Sequence, residues 1–464
     1  MDILDAWKRP KQQRKPETIE IFRAYDIRGL YPSAIDEKIA YRIGRAFIEF
    51  INKPKVAVGR DARKSSPALH EALVQGMTDQ GAEVTDIGVC TTPMLYFAVW
   101  KYKLDGGVMV TASHNPKEYN GMKLTGEKAI PLTGDSGISQ IGEAVFAHDF
   151  ARMPKKGRII KKDVIKDYMK FVLKFAEKIP KVKLVVDGGN GMAAVDFPEM
   201  MKSFRWVKVI PMNMEIDCTF PAHEPNPLDF STLKGLQKKV KHEDADLGIA
   251  FDGDCDRVFF VDDKGEVVTP DTIAALISKD MLKNKMHTIC YDLRSTMALP
   301  EEIDDNGGRP METRVGHSYI KSIMRDKGCS FASELSGHFY YRENSYCESS
   351  LITILKVLNI LSKEKKPLSE LISPIRRYFH SGEINFEVKD KDLVLEKMEE
   401  LHSDGNVNKM DGLKVEYADW WFSLRKSNTE PKLRLNLEAR EKNKMEFMLK
   451  EIRKEIKEIE NICE

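Results

Sequence analysis

The stretch GIAFDGDCDR, residues 248–257, begins as a short apolar run and continues as a series of alternating carboxylates. This pattern predicts a buried strand that ends in a polar loop. GVMVTASHNP (107–116) and GCSFASELSGH (328–338) have the same construction. Six positions after the first glycine of each stretch stands a polar residue: Asp254, Ser113 and Glu334. Since ligands of open α/β sheets bind at the carboxyl ends of strands, we expect the three loops to occupy one topological position in three similar units.

Each of these stretches is preceded by two more predicted strands with a helix-like segment between them. The first strands are KVAVGRD, VKLVVDGGNG and HTICYD, which begin at residues 55, 182 and 287. The second strands begin at residues 81, 206 and 308. Strands that alternate with helices predict a largely parallel, layered α/β sheet in each unit.

The pattern changes after about residue 370. The segments 380–390 and 412–440 predict antiparallel hairpins, and 441–460 has the charge pairs and apolar stripe of an amphipathic helix. The fold class is therefore α/β, with three similar mixed α/β domains and a C-terminal α+β domain. The predicted domains are 1–158, 159–265, 266–372 and 373–464.

Composition narrows the classes of function. The chain has 464 residues, with 73 Lys plus Arg and 72 Asp plus Glu, so its net charge is +1. Such a balance gives no general attraction to nucleic acid or to an anionic membrane, no nucleic-acid-binding motif is present, and no apolar run approaches the ~20 residues of a membrane helix. The seven cysteines are scattered and never spaced C-x-x-C, which favours a reducing, cytoplasmic location.

Asp252, Asp254 and Asp256 stand at i, i+2 and i+4 and would point to one side of an extended chain. Three converging carboxylates repel one another unless a cation joins them, and hard oxygen ligands suit Mg²⁺. An EF-hand is excluded because its sixth position is Arg257 and its twelfth is Asp263. A metal loop is the favoured interpretation, and a solvated turn is the alternative.

Ser113 lies in TASHNP, without the G-x-S-x-G of a hydrolase elbow. His114 follows it directly, and adjacent residues rarely face each other, so a Ser-His dyad is not expected. If Ser113 carries a phosphoryl group, Mg²⁺ and cations must neutralise it. Lys123 and Arg257 are the candidate cations, and a structural turn serine is the alternative reading.

Three further loops carry groups that could bind a phosphate, accept hydrogen bonds from sugar hydroxyls or transfer a proton. RKSNTEP (425–431) has the composition of an anion-binding turn, through Arg425, Ser427, Asn428 and Thr429, although a plain hairpin loop fits it as well. ELSGH offers Glu334 as an acceptor for sugar hydroxyls, with Ser336 and His338 beside it. GHSYIK (316–321) adds His317 and Lys321, and either histidine could act as an acid or base near neutral pH.

Taken together, the loops resemble those of the α-D-phosphohexomutase family, most closely its bacterial and archaeal phosphomannomutase/phosphoglucomutase branch. The resemblance keeps the order of all the loops and covers nearly the whole chain. It is carried by FRAYDIRG (22–29), GRDAR (59–63), TASHNP, YNGMK, VVDGGNGMA (185–193), FPAHEPNP (220–227), DGDCDR, GHSYIK, ELSGH and RKSNTEP.

The resemblance implies a four-domain, heart-shaped enzyme whose fourth domain has a TATA-box-binding-protein-like fold. It also implies roles for individual residues. Ser113 would be the phosphoserine and would bind Mg²⁺ together with Asp252, Asp254 and Asp256. The reacting end would be lined by Tyr25, Arg28, Lys123, Arg257 and His338. The substrate-binding residues would be Glu334 and Ser336 for sugar hydroxyls, His317, and Arg425, Ser427, Asn428 and Thr429 for the non-reacting phosphate.

The implied activity is the interconversion of hexose 1-phosphate and hexose 6-phosphate, with mannose and/or glucose as the sugar. It would use Mg²⁺ and a hexose 1,6-bisphosphate as intermediate and activator, in a monomer or weak homodimer. The alternatives are a phosphoglucosamine mutase, a catalytically silent sugar-phosphate-binding protein, and a phosphatase with Asp252 as nucleophile. Departures from the family pattern at Ser333, Arg294 and Glu348-Ser349 bear on sugar preference, and Leu335 favours mannose or glucose over glucosamine.

Overall fold

A computed structural model describes residues 20–147, 149–151, 153–426 and 432–462. Each of the four sheets in these ranges forms the centre of one structural unit. No helix in the described part of the chain is long and apolar enough to cross a membrane.

The first unit is built on a six-stranded sheet. Its strands are β1 (Ile27–Leu30), β2 (Lys55–Arg60), β3 (Glu83–Val89), β4 (Gly106–Val110), β5 (Tyr119–Gly126) and β6 (Arg158–Lys161), and its helices are α1 (Glu37–Ile51), α2 (Ser66–Asp79), α3 (Thr92–Lys101) and α4 (Ser139–Ala147). The strand order is β1-β5-β4-β2-β3-β6. Local chemistry sets the ends of α1, since the Asp36 carboxylate accepts from the Ile39 amide at 2.8 Å and Asn52 ends the helix at φ 48°.

The second unit has a five-stranded sheet in the order β11-β10-β9-β7-β8. These are β7 (Lys183–Asp187), β8 (Lys208–Met212), β9 (Leu247–Phe251), β10 (Val258–Val261) and β11 (Val267–Val268), with helices α5 (Ile165–Val172), α6 (Ala193–Met201) and α7 (Lys234–Glu243). Every residue of β9 is buried, as its apolar run predicts.

The third unit has a five-stranded sheet in the order β13-β12-β14-β15-β16. These are β12 (Thr288–Asp292), β13 (Arg309–Thr313), β14 (Phe331–Ser333), β15 (Phe339–Tyr341) and β16 (Cys347–Glu348), with helices α8 (Pro270–Leu282), α9 (Ala298–Asp305), α10 (His317–Lys327), α11 (Ser350–Glu364) and α12 (Leu368–Ile372).

The fourth unit is α+β, with antiparallel pairing throughout its sheet. Its elements are β17 (Phe379–His380), β18 (Ile384–Phe386), α13 (Lys391–Leu401), β19 (Asn406–Asn408), β20 (Leu413–Glu416), β21 (Trp420–Lys426), β22 (Leu433–Ala439) and α14 (Lys442–Ile462). Met398, Phe422 and Ile452 bring both helices and the sheet into one apolar core.

The first three sheets share one arrangement around the polar loops. In each, a central strand (β4, β9 or β14) pairs in parallel with β2, β7 or β12, respectively, and antiparallel with the strand that follows it in the chain. The hairpins are therefore β4–β5, β9–β10 and β14–β15, and the loops with Ser113, Asp254 and Glu334 connect their strands. The predicted fold class of three similar mixed α/β domains and one α+β domain is confirmed; the predicted domain boundaries remain predictions.

One large apolar cluster extends through all three α/β units. It includes Phe97 of α3, Phe197 of α6, Ile249 of β9, Ile277 of α8 and Leu355 of α11. Because interiors of this kind are close-packed, the cluster holds the three polar loops in fixed relative positions.

Candidate active site

Ser113 lies in the turn after β4, with its backbone at φ 52°. Its side chain is buried, and its Oγ donates to Asp252 Oδ2 at 2.8 Å. Its amide donates to Thr111 Oγ1 at 3.0 Å, which helps to hold the left-handed turn. The loops of the first and second units thus meet at this hydroxyl.

Arg63 stabilises the loop of Ser113 through hydrogen bonds to its backbone, a role that was not predicted from the sequence. Its guanidinium is buried and donates to the carbonyl oxygens of Ser113 at 2.8 Å, Asn115 at 2.6 Å and Pro116 at 2.7 Å. Asp61 forms an ion pair with it at 3.2 Å. The signal available in the sequence was the GRDAR motif (59–63), which ends with Arg63. Nothing in the motif indicates which groups this arginine contacts.

His114 does approach Ser113, contrary to the expectation that these neighbours would not face each other. Its Nδ1 lies 3.3 Å from Ser113 Oγ, because the left-handed backbone of Ser113 folds the two side chains together. Burial, and then the nearby Arg257 and Arg28, hold the pKa of His114 well below its ordinary value. The ring is therefore neutral.

The three aspartates of the second unit converge as the spacing predicted. Asp252, Asp254 and Asp256 are all buried, and one carboxylate oxygen from each lies within 4.8 Å of the others. Lys123, from β5, donates to Asp254 Oδ2 at 2.7 Å and also to Asp256. Burial, and then the charges of Asp256 and Asp254, raise the pKa of Asp252 well above its ordinary value, although Arg257 and Lys123 oppose the shift.

The donor set fits a hard divalent cation. Among the described residues, Asp254 Oδ1 is buried without a hydrogen-bond partner. Arg257 places its amide 3.2 Å from Asp252 Oδ1 and its Nε 3.7 Å from Asp252 Oδ2. Oxygen ligands and a surplus of negative charge are what Mg²⁺ requires.

The loop of the third unit presents Glu334, Ser336 and His338 to the same place. His338 Nε2 lies 3.3 Å from Asp256 Oδ1, and its Nδ1 lies 2.8 Å from Ser336 Oγ and 3.3 Å from Glu334 Oε2. Burial lowers the pKa of His338, but the charge of Asp256 and the hydrogen bonds to Asp256 and Glu334 together raise it to about 9. Gly337 is required in this loop, because its φ is 95° and a Cβ there would lie 2.4 Å from Phe259.

Glu383 joins the fourth unit to this cleft through three guanidinium groups, a feature that the sequence reasoning missed. Its carboxylate lies 3.5 Å from Arg294, 3.5 Å from Arg425 and 2.8 Å from Arg434. Arg294 also lies 3.5 Å from Glu334, so the loop of the third unit and Arg425 belong to one charged network. No local pattern connects residues 294, 383, 425 and 434 in the sequence. Ser427, Asn428 and Thr429 lie outside the described residues.

Tyr25 and Arg28 border the cleft from the first unit. The Tyr25 hydroxyl donates to the Val315 carbonyl at 3.1 Å, and its ring packs edge-on against His317 at 5.8 Å. Arg28 donates to Asn115 and pairs with Asp26.

Lys321, by contrast, is withdrawn from the cleft. It is buried in an ion pair with Glu348 at 2.5 Å, and its ammonium lies 4.2 Å from the centre of the Tyr96 ring. Glu348, one of the residues that depart from the family pattern, therefore pairs with a lysine of its own unit.

The cleft is a cavity of about 200 Å³. Its lining includes ten of the residues predicted for the site: Tyr25, Arg28, Ser113, Lys123, Arg257, His317, Glu334, Ser336, His338 and Arg425. All four units contribute to it.

Comparison with known proteins gives the same organisation. Four family models match in order: phosphoglucomutase/phosphomannomutase alpha/beta/alpha domains I, II and III at residues 20–152, 166–265 and 269–378, and the C-terminal domain at 383–455. The chain belongs to the phosphoglucomutase/phosphomannomutase family. The predicted family is thereby confirmed.

Curated relatives of this family member match over nearly their full length. It is 38% identical to a phosphomannomutase of Methanocaldococcus jannaschii, with 93% of this chain and 96% of the relative covered. It is 37% identical to a phosphomannomutase of Vibrio cholerae, with 93% and 98% covered.

Solved structures agree with the fold of this family member. A phosphoglucomutase/phosphomannomutase family protein from Burkholderia thailandensis superimposes with a TM-score of 0.87 at 31% identity, over 95% of this chain and 98% of the other. An N-acetylphosphoglucosamine mutase of Aspergillus fumigatus, in complex with GlcNAc-6P and magnesium, has a TM-score of 0.62 at 13% identity, over 97% of this chain and 100% of the other. The second likeness concerns the fold alone.

Proposed function

We propose that this chain interconverts hexose 1-phosphate and hexose 6-phosphate, with mannose and/or glucose as the hexose. The carrier of the phosphoryl group is Ser113, and the intermediate is a hexose 1,6-bisphosphate. One observation carries the proposal: the Ser113 hydroxyl, bonded to Asp252 at 2.8 Å, opens into the same cleft as Glu334 and Arg425.

Mg²⁺ would be held by Asp252, Asp254 and Asp256 together with an oxygen on Ser113. The buried, unpartnered Asp254 Oδ1 and the close approach of the three carboxylates support this assignment among the described residues. The ion would neutralise charge on the phosphoryl group during its transfer.

The first transfer moves a phosphoryl group from Ser113 Oγ to a free sugar hydroxyl. The Oγ–P bond breaks, a sugar O–P bond forms, and the serine oxygen gains the proton that the sugar hydroxyl loses. Asp252 accepts a hydrogen bond from the restored hydroxyl. Lys123 and Arg257 line the cleft beside Ser113 and supply positive charge next to the oxygens of the phosphoryl group that is transferred. Because these charges are already in place, they lower the activation barrier without reorganisation of the site.

The opposite end of the substrate is held by the third and fourth units. Glu334 accepts from sugar hydroxyls, and Arg425 binds the phosphate that is not being transferred. Since Arg294, Arg425 and Arg434 already share the single carboxylate of Glu383, a phosphate at this position meets three guanidinium groups. Reorientation of the bisphosphate then presents its other phosphoryl group to Ser113.

The test compares mannose 1-phosphate, glucose 1-phosphate and glucosamine 1-phosphate as substrates of the purified chain, with Mg²⁺ and catalytic hexose 1,6-bisphosphate. Phosphorus NMR follows the appearance of each 6-phosphate, and mass spectrometry follows phosphorylation of the peptide with Ser113. We expect mannose or glucose 6-phosphate, and a phosphopeptide that disappears when sugar phosphate is added.

Other outcomes identify the alternatives. Glucosamine 1-phosphate as the best substrate would indicate a phosphoglucosamine mutase. Inorganic phosphate without 6-phosphate would indicate a phosphatase, and binding without turnover a sugar-phosphate-binding protein. The cytoplasmic location and the monomer or weak homodimer remain predictions.

A further inference from the structure

The first unit contacts the metal loop at a point that the proposed function does not use. Thr92, the first residue of α3, donates from Oγ1 to Asp254 Oδ2 at 2.5 Å. Its amide also donates to the Asp254 carbonyl oxygen at 3.1 Å. Both residues are buried. A single threonine thus holds both the backbone and the side chain of one aspartate across the boundary between two units.

These bonds select one oxygen of Asp254. Thr92 Oγ1 and Lys123 Nζ both donate to Oδ2, at 2.5 Å and 2.7 Å, whereas Oδ1 has no hydrogen-bond partner in the described part of the chain. Two donors on one oxygen favour this orientation of the carboxylate.

The neighbouring residue makes a similar bond to a different carboxylate. Thr91 Oγ1 donates at 2.9 Å to Asp196 Oδ2, which lies outside the three-aspartate cluster. On the other side of the loop, Ser350 Oγ donates to the Cys255 carbonyl oxygen at 2.7 Å. Ser350 therefore braces the backbone of the loop, Thr91 bonds a carboxylate of α6, and Thr92 alone among these three bonds a cluster carboxylate.

We propose that Thr92 is a positioning residue for the catalytic cation: by occupying Asp254 Oδ2, it directs Oδ1 towards the metal. This inference rests on the proposed Mg²⁺ site at Asp252, Asp254 and Asp256. It predicts that the affinity for Mg²⁺ depends on the hydroxyl of Thr92, although that hydroxyl does not touch the metal.

The experiment compares Thr92→Val, which removes the hydroxyl at nearly constant volume, with Thr92→Ser, which keeps it. Thr91→Val is the matched control, because it removes an equally buried hydroxyl bond to a carboxylate outside the cluster. Calorimetric titration of the full chain with Mg²⁺ alone gives the dissociation constant, and thermal unfolding gives the stability. Kinetics give the Mg²⁺ activation constant and the KM for sugar phosphate.

We expect Thr92→Val to weaken Mg²⁺ binding about tenfold, which corresponds to ~1.4 kcal/mol. Thr92→Ser should bind Mg²⁺ with a dissociation constant within about twofold of that of the unaltered chain. Thr91→Val should have a lower melting temperature, but its Mg²⁺ dissociation constant should also stay within about twofold of that of the unaltered chain. The KM for sugar phosphate at saturating Mg²⁺ should stay nearly constant in all three variants, since none of these hydroxyls lines the cleft.

Equal Mg²⁺ affinity in Thr92→Val and the unaltered chain would overturn the inference and leave the proposed function intact. Absence of Mg²⁺ binding in the unaltered chain would instead overturn the metal assignment on which it rests. If Thr92→Val does not fold, Thr92→Ala provides the same comparison with Thr92→Ser and with Thr91→Ala.

Discussion

The hydroxyl of Ser113 lies 2.8 Å from Asp252 Oδ2, although the two residues are 139 positions apart in the chain. The contact joins the hairpin loop of the first sheet to that of the second. It places a nucleophilic oxygen beside a cluster of carboxylates suited to a cation, and the expected behaviour of variants follows from this geometry.

Ser113→Ala should abolish phosphoryl transfer, because it removes the oxygen that carries the phosphoryl group. Binding of sugar phosphate should survive, since Glu334 and Arg425 belong to other units. The rate is measured by coupled assay and binding by calorimetry. Ser403→Ala, which removes an exposed hydroxyl of the fourth unit bonded to the Glu400 carbonyl, should keep the original rate. Near-normal turnover in Ser113→Ala would refute the assignment of the carrier.

Removal of the metal should lower both activity and stability. A cation that binds only the folded chain stabilises it by RT ln(1 + [Mg²⁺]/Kd), so EDTA should lower the melting temperature and Mg²⁺ should restore it. Ca²⁺ should restore the melting temperature but not the rate, because its longer bonds and looser geometry misplace the phosphoryl oxygens.

Asp254→Asn should weaken Mg²⁺ binding and turnover while the fold persists, since it removes one charge with little change in volume. Asp244→Asn is the control: it removes one charge at the exposed end of α7, outside the cluster. Differential scanning fluorimetry and steady-state kinetics measure the two effects. Full activity of Asp254→Asn in chelated buffer would show that the cluster does not hold the catalytic metal.

Arg425→Ala should raise the KM for the 1-phosphate and the 6-phosphate alike, because one guanidinium serves the non-reacting phosphate in both orientations. The loss of a charge-assisted contact of about 1.5–3 kcal/mol corresponds to roughly 10- to 100-fold. Arg440→Ala, which removes an exposed arginine paired with Glu301 at 3.5 Å, should change neither KM. A rise for only one of the two substrates would contradict a shared phosphate site.

Stability should depend on pH through His223, whose Nε2 lies 3.0 Å from Asp187 Oδ2. The hydrogen bond to Asp187 raises the pKa of His223 above its ordinary value, although burial opposes the shift. A raised folded-state pKa stabilises the fold below the unfolded value of about 6.5, and this contribution disappears as the pH rises through the folded value.

The melting temperature of His223→Gln should therefore fall below that of the original chain at pH about 5.5, and the difference should shrink towards pH about 9. Thermal unfolding in a series of buffers between these limits provides the measurement. A difference that grows with rising pH would mean that the Asp187 contact does not favour the charged imidazole.

Local patterns in the sequence were sufficient to predict the strands and the positions of the polar loops that follow them. The apolar runs that become β4, β9 and β14 end in turns that carry Ser113, Asp254 and Glu334, and the structure places all three turns at one topological position. The alternating carboxylates do converge, but in a turn and not in extended backbone: Cys255 has φ 66°, and its amide donates to the Asp252 carbonyl oxygen at 3.2 Å.

Residues that act through distant partners were not recognisable in this way. Thr92 is 162 positions from Asp254, and Glu383 is 89 positions from Arg294. No local sequence motif around Thr92 or Glu383 indicates which residue it contacts. The contact of His114 with Ser113 also depends on a left-handed turn that the sequence does not reveal.

The sequence by itself determined the strand–loop units, the change of fold class in the fourth domain and the chemical character of each loop, since these depend on periodicity and on residue type over short distances. Which buried polar groups meet became clear only from the tertiary structure. Arg63 donates to the Ser113 carbonyl oxygen, Glu383 pairs with three arginines, and Thr92 donates to Asp254. Those pairings depend on how separate sheets pack against one another, and desolvation makes each buried charge or hydroxyl depend on the particular partner that packing supplies.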